Sequence, residues 1–253
     1  MKLALFSDVH ANLPALAACL GAIETQEPDV IYCLGDLVGY NVWPNEVIRE
    51  VKQRNIPTIA GNYDQGIGMH SNECGCAYKT EEDREMGKIS ISYTNEVIGE
   101  KERAFLRSLP AHIRIDFQHT DQKVSILLVH GSPRKINEYL FEDREEKSLL
   151  RIVQDAQADI LCFGHTHKPF HRILASNHRY YHAINTGSVG KPKDGTPEGC
   201  FVVLTLNENL NAGDKELVKV DFIRFDYDYD AAASAIEASP LPNAYADMLR
   251  KGY

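Results

Sequence analysis

The chain has 253 residues, 43% of them hydrophobic, and its 36 acidic against 27 basic side chains give a net charge of −9. That length supports one sizeable core without requiring a second domain, and the acidic balance argues against a protein that grips a nucleic-acid backbone through a basic face. No apolar run approaches the roughly 18 residues of a membrane span, and the segment before Ser7 and Asp8 is too short for a signal peptide, so a cytoplasmic protein is expected, with no membrane partner.

In chain order, Leu3-Ala4-Leu5-Phe6 predicts a short buried strand that ends at Asp8 and His10. Asn12 suits a helix N-cap and Pro14 a first turn, and Leu13, Leu16, Ala17, Leu20 and Ile23 recur at helical spacing. A second strand, Val30 to Leu34, ends at Asp36. A helix from about Pro44 follows, and then a third strand, Pro57 to Ala60, ends at Asn62. This strand and helix alternation demands a parallel sheet, and ligands of such sheets gather beyond the carboxyl ends of the strands.

The rule repeats twice more. Lys123 to Val129 stops at His130, Ile160 to Phe163 stops at His165 and His167, and residues 142–156 between them predict a helix. Tyr180 to Asn185, Cys200 to Leu206 and Leu217 to Phe225 are strands of an expected second sheet, and short helices are expected over 230–237 and 244–250. The division is therefore one domain over 1–253, with a loop and helix insertion at about 66–100 and a helical extension at about 228–253.

Within the insertion, Cys74-Gly75-Cys76 has no matching ligand pair elsewhere, which disfavours a zinc knuckle; a loop beside the site, acting as a lid or as a contact in a homo-oligomer, is expected. The six cysteines show no framework spacing and are expected to be reduced. Tyr40 and Trp43, close behind Asp36, are placed to offer rings to a base or to pack. His70, His112, His119, His171 and His178 are expected in loops or at the surface, and His182 in the core or behind the site.

Asp8, His10, Asp36, Asn62, His130, His165 and His167 thus form a ligand set of carboxylate, amide and imidazole. Two dications about 3.5–4 Å apart repel by roughly 20 kcal/mol at an effective dielectric near 20, so a carboxylate between them is needed, and Asp36 is the candidate. A hydroxide bridging such a pair is a nucleophile at neutral pH. Ligation without thiolate suits two divalent transition ions, manganese first, with iron, nickel, cobalt or zinc as alternatives.

The order Asp-x-His, Gly-Asp, Gly-Asn-x-Asp, His and Gly-His-x-His, running through nearly the whole chain, resembles the calcineurin-like metallophosphoesterase superfamily, and within it the small bacterial and archaeal phosphodiesterases. The resemblance implies an α/β fold, a four-layer αββα sandwich of two mixed sheets flanked by helices. It implies Asp8, His10, Asp36 and His167 on one metal and Asp36, Asn62, His130 and His165 on the other. It also aligns Asn185 to Gly190, making Ser188 and Lys191 candidate phosphate contacts.

One departure is Tyr63, which stands where the family has a histidine thought to protonate the leaving group. Asp36, Asn62, Tyr63, Asp64 and His130 are the candidate catalytic residues, with Asp64 expected to hold Tyr63 or a ligand histidine. Tyr40, Ser188 and Lys191 are the candidate substrate contacts. The expected activity is hydrolysis of a small phosphodiester, nucleotides included, with no stable nucleic-acid partner; the alternatives are a metal-binding scaffold for proteins and a diadenosine tetraphosphatase.

Overall fold

β1 (Lys2–Phe6) and β2 (Val30–Cys33) pair in parallel, with Leu3 opposite Val30, and α1 (Leu13–Glu24) crosses between them. The computed structural model describes residues 1–119, 122–207 and 213–253, the side chains of His119 and Gln122 excepted, so the expectation for His119 lies outside the described residues. Asn12 caps α1 by accepting from the Ala15 amide at 3.2 Å, and Pro14 occupies the first turn, where its missing N–H costs nothing. α2 (Pro44–Gln53) follows.

The expected third strand is a single parallel bridge from Thr58 to Cys33. Pro57 can only accept, which it does from Cys33 N, and the Ala60 amide turns away to Pro110 O, so the ladder cannot extend.

A helix that the sequence does not signal, α3 (Asn62–Gly68), comes next, followed by α4 (Glu81–Val97) and α5 (Glu100–Ser108). β3 (His112–His119) and β4 (Gln122–Val129) then pair antiparallel, followed by α6 (Glu146–Asp155), β5 (Ile160–Phe163), β6 (Phe170–Ser176) and β7 (Arg179–Asn185). α6 starts later than expected because Arg172 donates to the carbonyls of Glu142 and Arg144, which an earlier helical turn would need. β6 and β7 form a hairpin whose turn residues, Asn177 and His178, both have positive φ, as a type I′ turn requires. β8 (Gly199–Leu206), β9 (Val218–Phe225), α7 (Tyr229–Glu237) and α8 (Ala244–Lys251) complete the chain.

The strands form two mixed sheets, ordered β2-β1-β8-β9 and β3-β4-β5-β7-β6. The strands of the last third are therefore divided between both sheets, not gathered in one: β7 pairs parallel with β5, whereas β8 pairs antiparallel with β1.

Alternation along the strands builds the layers. Leu3, Leu5, Val202 and Leu204 of the first sheet face Val124, Ile126, Leu128 and Ile160 of the second in one buried cluster. The opposite faces bury Phe6 and Phe201 under α1, α2, α7 and α8, and Leu127, Leu161 and Phe163 under α6. The result is a helix, sheet, sheet, helix sandwich. No helix among the described residues is long and apolar enough to cross a membrane. The described cysteines are all free thiols, and all but Cys76 are buried.

Candidate metal centre

Each candidate ligand lies just beyond the end of a β run, where backbone turns sharply. Asp8, His10, Asp36, His165 and His167 have φ of 56°, 49°, 57°, 67° and 59°, left-handed values that cost these residue types energy and mark positions held by their surroundings. The glycines of the motifs explain how the segments meet. A Cβ on Gly61 would run into the Asp36 carboxylate, and one on Gly164 would meet Ser7 Oγ and Asp8 Oδ2. Gly61 and Gly164 are there because backbone must pass against a ligand.

Two buried groups result. Asp8, His10 and His167 form one, and Asp36, His130 and His165 the other, each with its ligand atoms within 4.8 Å of one another. In the first, His10 Nε2 is 3.1 Å from His167 Nε2, and Asp8 Oδ1 is 3.2 Å from His167 Nε2. In the second, Asp36 Oδ2 is 3.3 Å from His130 Nε2. The groups are joined through Asp36, whose Oδ2 also lies 3.7 Å from His10 Nε2. Asn62 turns its amide nitrogen to Cys74 O at 2.8 Å, which leaves Oδ1 pointing at His130 Nε2, 3.1 Å away.

Three of the imidazoles are fixed from behind. Nδ1 of His10 donates to Val38 O at 2.9 Å, Nδ1 of His130 to Leu34 O at 2.8 Å, and Nδ1 of His167 to Lys191 O, so each Nε2 faces the centre. Burial holds His10 down to about 3 and His165 down to about 4, and pushes His167 well below its ordinary value, keeping these rings in the neutral form a metal requires. Burial alone also lowers His130, but the neighbouring Asp36 charge outweighs it and raises this imidazole to about 10. Burial alone raises Asp36, and His130 more than offsets that, so the carboxyl stays ionised. A cation and the His130 proton compete for one lone pair.

The donor set fits divalent cations. Asp8 Oδ1 and His165 Nε2 are fully buried with no hydrogen-bond partner, an arrangement costly in any protein that leaves them so. Both belong to the two ligand groups.

The remaining candidates fall in different places. Tyr63 is 1% exposed, its ring 5.5 Å from that of His10 and 4.8 Å from that of Tyr40. Its hydroxyl is enclosed near the phenols of Tyr40 and Tyr78 without the geometry of a hydrogen bond to either, and burial pushes it well above its ordinary range. Tyr63 is thus a packed wall, not an exposed acid.

Asp64 touches neither Tyr63's hydroxyl nor a ligand histidine. It accepts from the amides of Asp36, Leu37 and Gly61 at 2.7, 2.9 and 3.0 Å, because these are the unpaired N–H groups where the two turns abut. These bonds tie the Asp36 turn to the start of α3. Ser188 is buried, donates to Asp8 O at 2.8 Å and accepts from Lys191 N at 2.9 Å, so its hydroxyl is engaged by backbone.

Tyr40, Lys191 and Lys193 line a cleft of about 280 Å³ beside the ligand groups. Lys193 was not anticipated from sequence, although Gly190-Lys191-Pro192-Lys193 follows directly on the motif that pointed to Lys191. His70, His112 and His178 are exposed, but His171 is half-buried, its Nε2 3.0 Å from Nδ1 of buried His182.

Residues 1–209 match the calcineurin-like phosphoesterase superfamily domain, and the chain belongs to that superfamily. It is 30% identical over 266 aligned residues to the uncharacterized protein MJ0912 of Methanocaldococcus jannaschii, covering 99% of this chain and 98% of that protein. Two solved structures share the fold over all of this chain at 25% identity: the hypothetical protein PH1004 of Pyrococcus horikoshii, with 98% of its chain covered and a TM-score of 0.79, and a metallophosphoesterase of Sphaerobacter thermophilus, with 99% covered and a TM-score of 0.74.

Proposed function

We propose that this chain is a phosphodiesterase that works with two divalent transition cations, one held by Asp8, His10, Asp36 and His167 and the other by Asp36, Asn62, His130 and His165. The observation that carries the reading is Asp36 Oδ2, which stands 3.3 Å from His130 Nε2 and 3.7 Å from His10 Nε2 and so faces both ligand groups at once. When bound, such cations polarise a phosphoryl oxygen and bring the ionisation of a coordinated water towards neutral pH.

The protein's own residues orient and enclose. Val38 O, Leu34 O and Lys191 O set the histidine tautomers, and Asp64 holds the Asp36 turn. The Tyr63 wall provides no imidazole to protonate a departing alkoxide, which favours esters whose leaving group departs unaided. Aryl and nucleotide-type phosphodiesters are therefore the preferred class, and alkyl monoesters poor substrates. Every family ligand position is filled, which supports an enzyme over a scaffold.

The test is hydrolysis of bis(p-nitrophenyl) phosphate and p-nitrophenyl phosphate, side by side, by the Mn²⁺-reconstituted protein. Faster diester turnover supports the reading. Equal rates on both remove the diester preference, and no turnover of either by protein with two metals bound returns the scaffold.

A further inference from the structure

The cleft beside the ligand groups carries a local charge opposite in sign to that of the chain as a whole. In a chain of net charge −9, its lining includes Lys79, Lys191 and Lys193 against the single carboxylate of Asp83. Lys191 is 4% exposed, yet among the described residues no carboxylate lies within ion-pair distance of its ammonium. Nζ instead sits over the ring faces of Tyr40 at 4.9 Å and Tyr245 at 5.7 Å, with Met248 Sδ at 3.5 Å. Lys193 Nζ likewise makes no hydrogen bond or ion pair among the described residues.

A buried ammonium without an anion is unfavourable, so burial pushes the Lys191 amine well below its ordinary range; ring faces offset only part of that cost, and an arriving anion would favour the charged form. Buried Lys191 and half-buried Lys193, side by side on one wall, make a site whose counter-ion comes from outside. The carboxylates of Asp8 and Asp36 face their own ligand groups and make no ion pair with either lysine among the described residues. At about 280 Å³ the cleft is smaller than the roughly 300–1,000 Å³ of pockets that engulf whole drug-sized ligands, so it takes one end of a substrate.

Resting on the phosphoesterase reading, we infer that this cleft is a subsite for a second phosphate group, held by Lys191 and Lys193, and that the favoured substrates are phosphoesters bearing a phosphate besides the scissile one. The tyrosine walls suit a sugar or base that joins the two phosphates.

Binding is tested on the full chain stripped of metal with EDTA, so that no phosphate is held through a metal ion and the lysine variants report on the cleft. Inorganic pyrophosphate is titrated calorimetrically into the wild type, Lys193→Gln and Lys191→Met, the last keeping the buried stem, with melting temperatures as the check on folding. Saturable binding weakened at least about tenfold in a folded Lys193→Gln chain, about 1.4 kcal/mol, is expected; no binding, or equal binding in both, overturns the subsite. The Mn²⁺-loaded enzyme is then given thymidine 5′-(p-nitrophenyl phosphate) and its 3′-phosphorylated form. A higher kcat/KM for the latter, with the ratio falling towards one in Lys193→Gln, is expected, and a wild-type ratio of one overturns the inference. Lysine-dependent pyrophosphate binding without turnover of either ester leaves the subsite standing and removes the phosphoesterase reading instead.

Discussion

The backbone amide of Tyr63 donates to Asp36 Oδ1 at 2.8 Å, which fixes the carboxylate with its other oxygen, Oδ2, between His130 and His10. One carboxylate oxygen is thus spent on the fold, and the other is presented to both ligand groups.

Replacing Asp36 with Asn should therefore empty both groups together. An amide keeps an acceptor for the Tyr63 amide but removes the charge that offsets two cations. Metal analysis of the purified Asp36→Asn chain should show less than one ion per chain, with diester turnover down by more than the 10–100-fold typical of groups one step further from a metal. Retention of two ions would refute the shared role.

Gly61→Ala tests the close approach. The added Cβ runs into the Asp36 carboxylate and its amide, so either Asp36 or the start of α3 must move. A stability loss of about 1–3 kcal/mol is expected from the overpacking, together with about 10–100-fold weaker metal binding. Urea unfolding and metal titration of the variant measure both; unchanged metal affinity would mean that the Asp36 position is not set by this contact.

Tyr63→Phe should be nearly silent, since it deletes a hydroxyl that is buried and unpaired. Stability should change by less than about 1 kcal/mol, and turnover of aryl diesters should fall far less than the 10²–10⁴-fold due to a lost proton donor. Tyr63→His should instead raise the rate on alkyl esters more than on aryl esters, which steady-state kinetics on the two classes would show.

The His171 and His182 pair predicts an acid limb of stability. Burial first, and the proximity of His171 second, hold His182 down to about 4 from an ordinary 6.5. The unfolded chain takes up this proton below pH 6.5 while the folded chain refuses it, so stability present at pH 7 is lost as pH falls from about 6.5 towards 4. The loss from this group is about 2 kcal/mol between pH 7 and 4.5. Urea midpoints of the EDTA-treated wild type and His182→Gln at both pH values isolate it: the variant should be less stable at pH 7 but lose less on acidification.

The ligand set was legible because each member follows an apolar run, and a chemically costly residue at a strand end stands out against its neighbours. The sandwich followed from the resemblance and from the strand count. What was not legible depends on partners distant in sequence. Thr58 could not be known to make a lone bridge before Pro110 was seen to take the Ala60 amide, and β3, with Ile113, Ile115 and Phe117 alternating along a sheet edge, was readable but weak. Asp64 reads as a catalytic carboxylate in the motif, and its acceptance of three amides from two separate turns depends on partners that the motif does not show. Lys193 had only its place two residues beyond Lys191 to mark it until the cleft gave it Lys191 and Tyr40 as neighbours.

The two ligand groups also cut across the layers. Asp8 and His10 follow β1 and Asp36 follows β2 in the first sheet, whereas His130 follows β4 and His165 and His167 follow β5 in the second, and each group mixes both origins. A cation seated in either group is a rivet through the sandwich. Its loss would free the two sheets to shift against one another along the Leu3, Leu5, Ile126 and Leu128 seam, so that filling the centre would also tighten the fold.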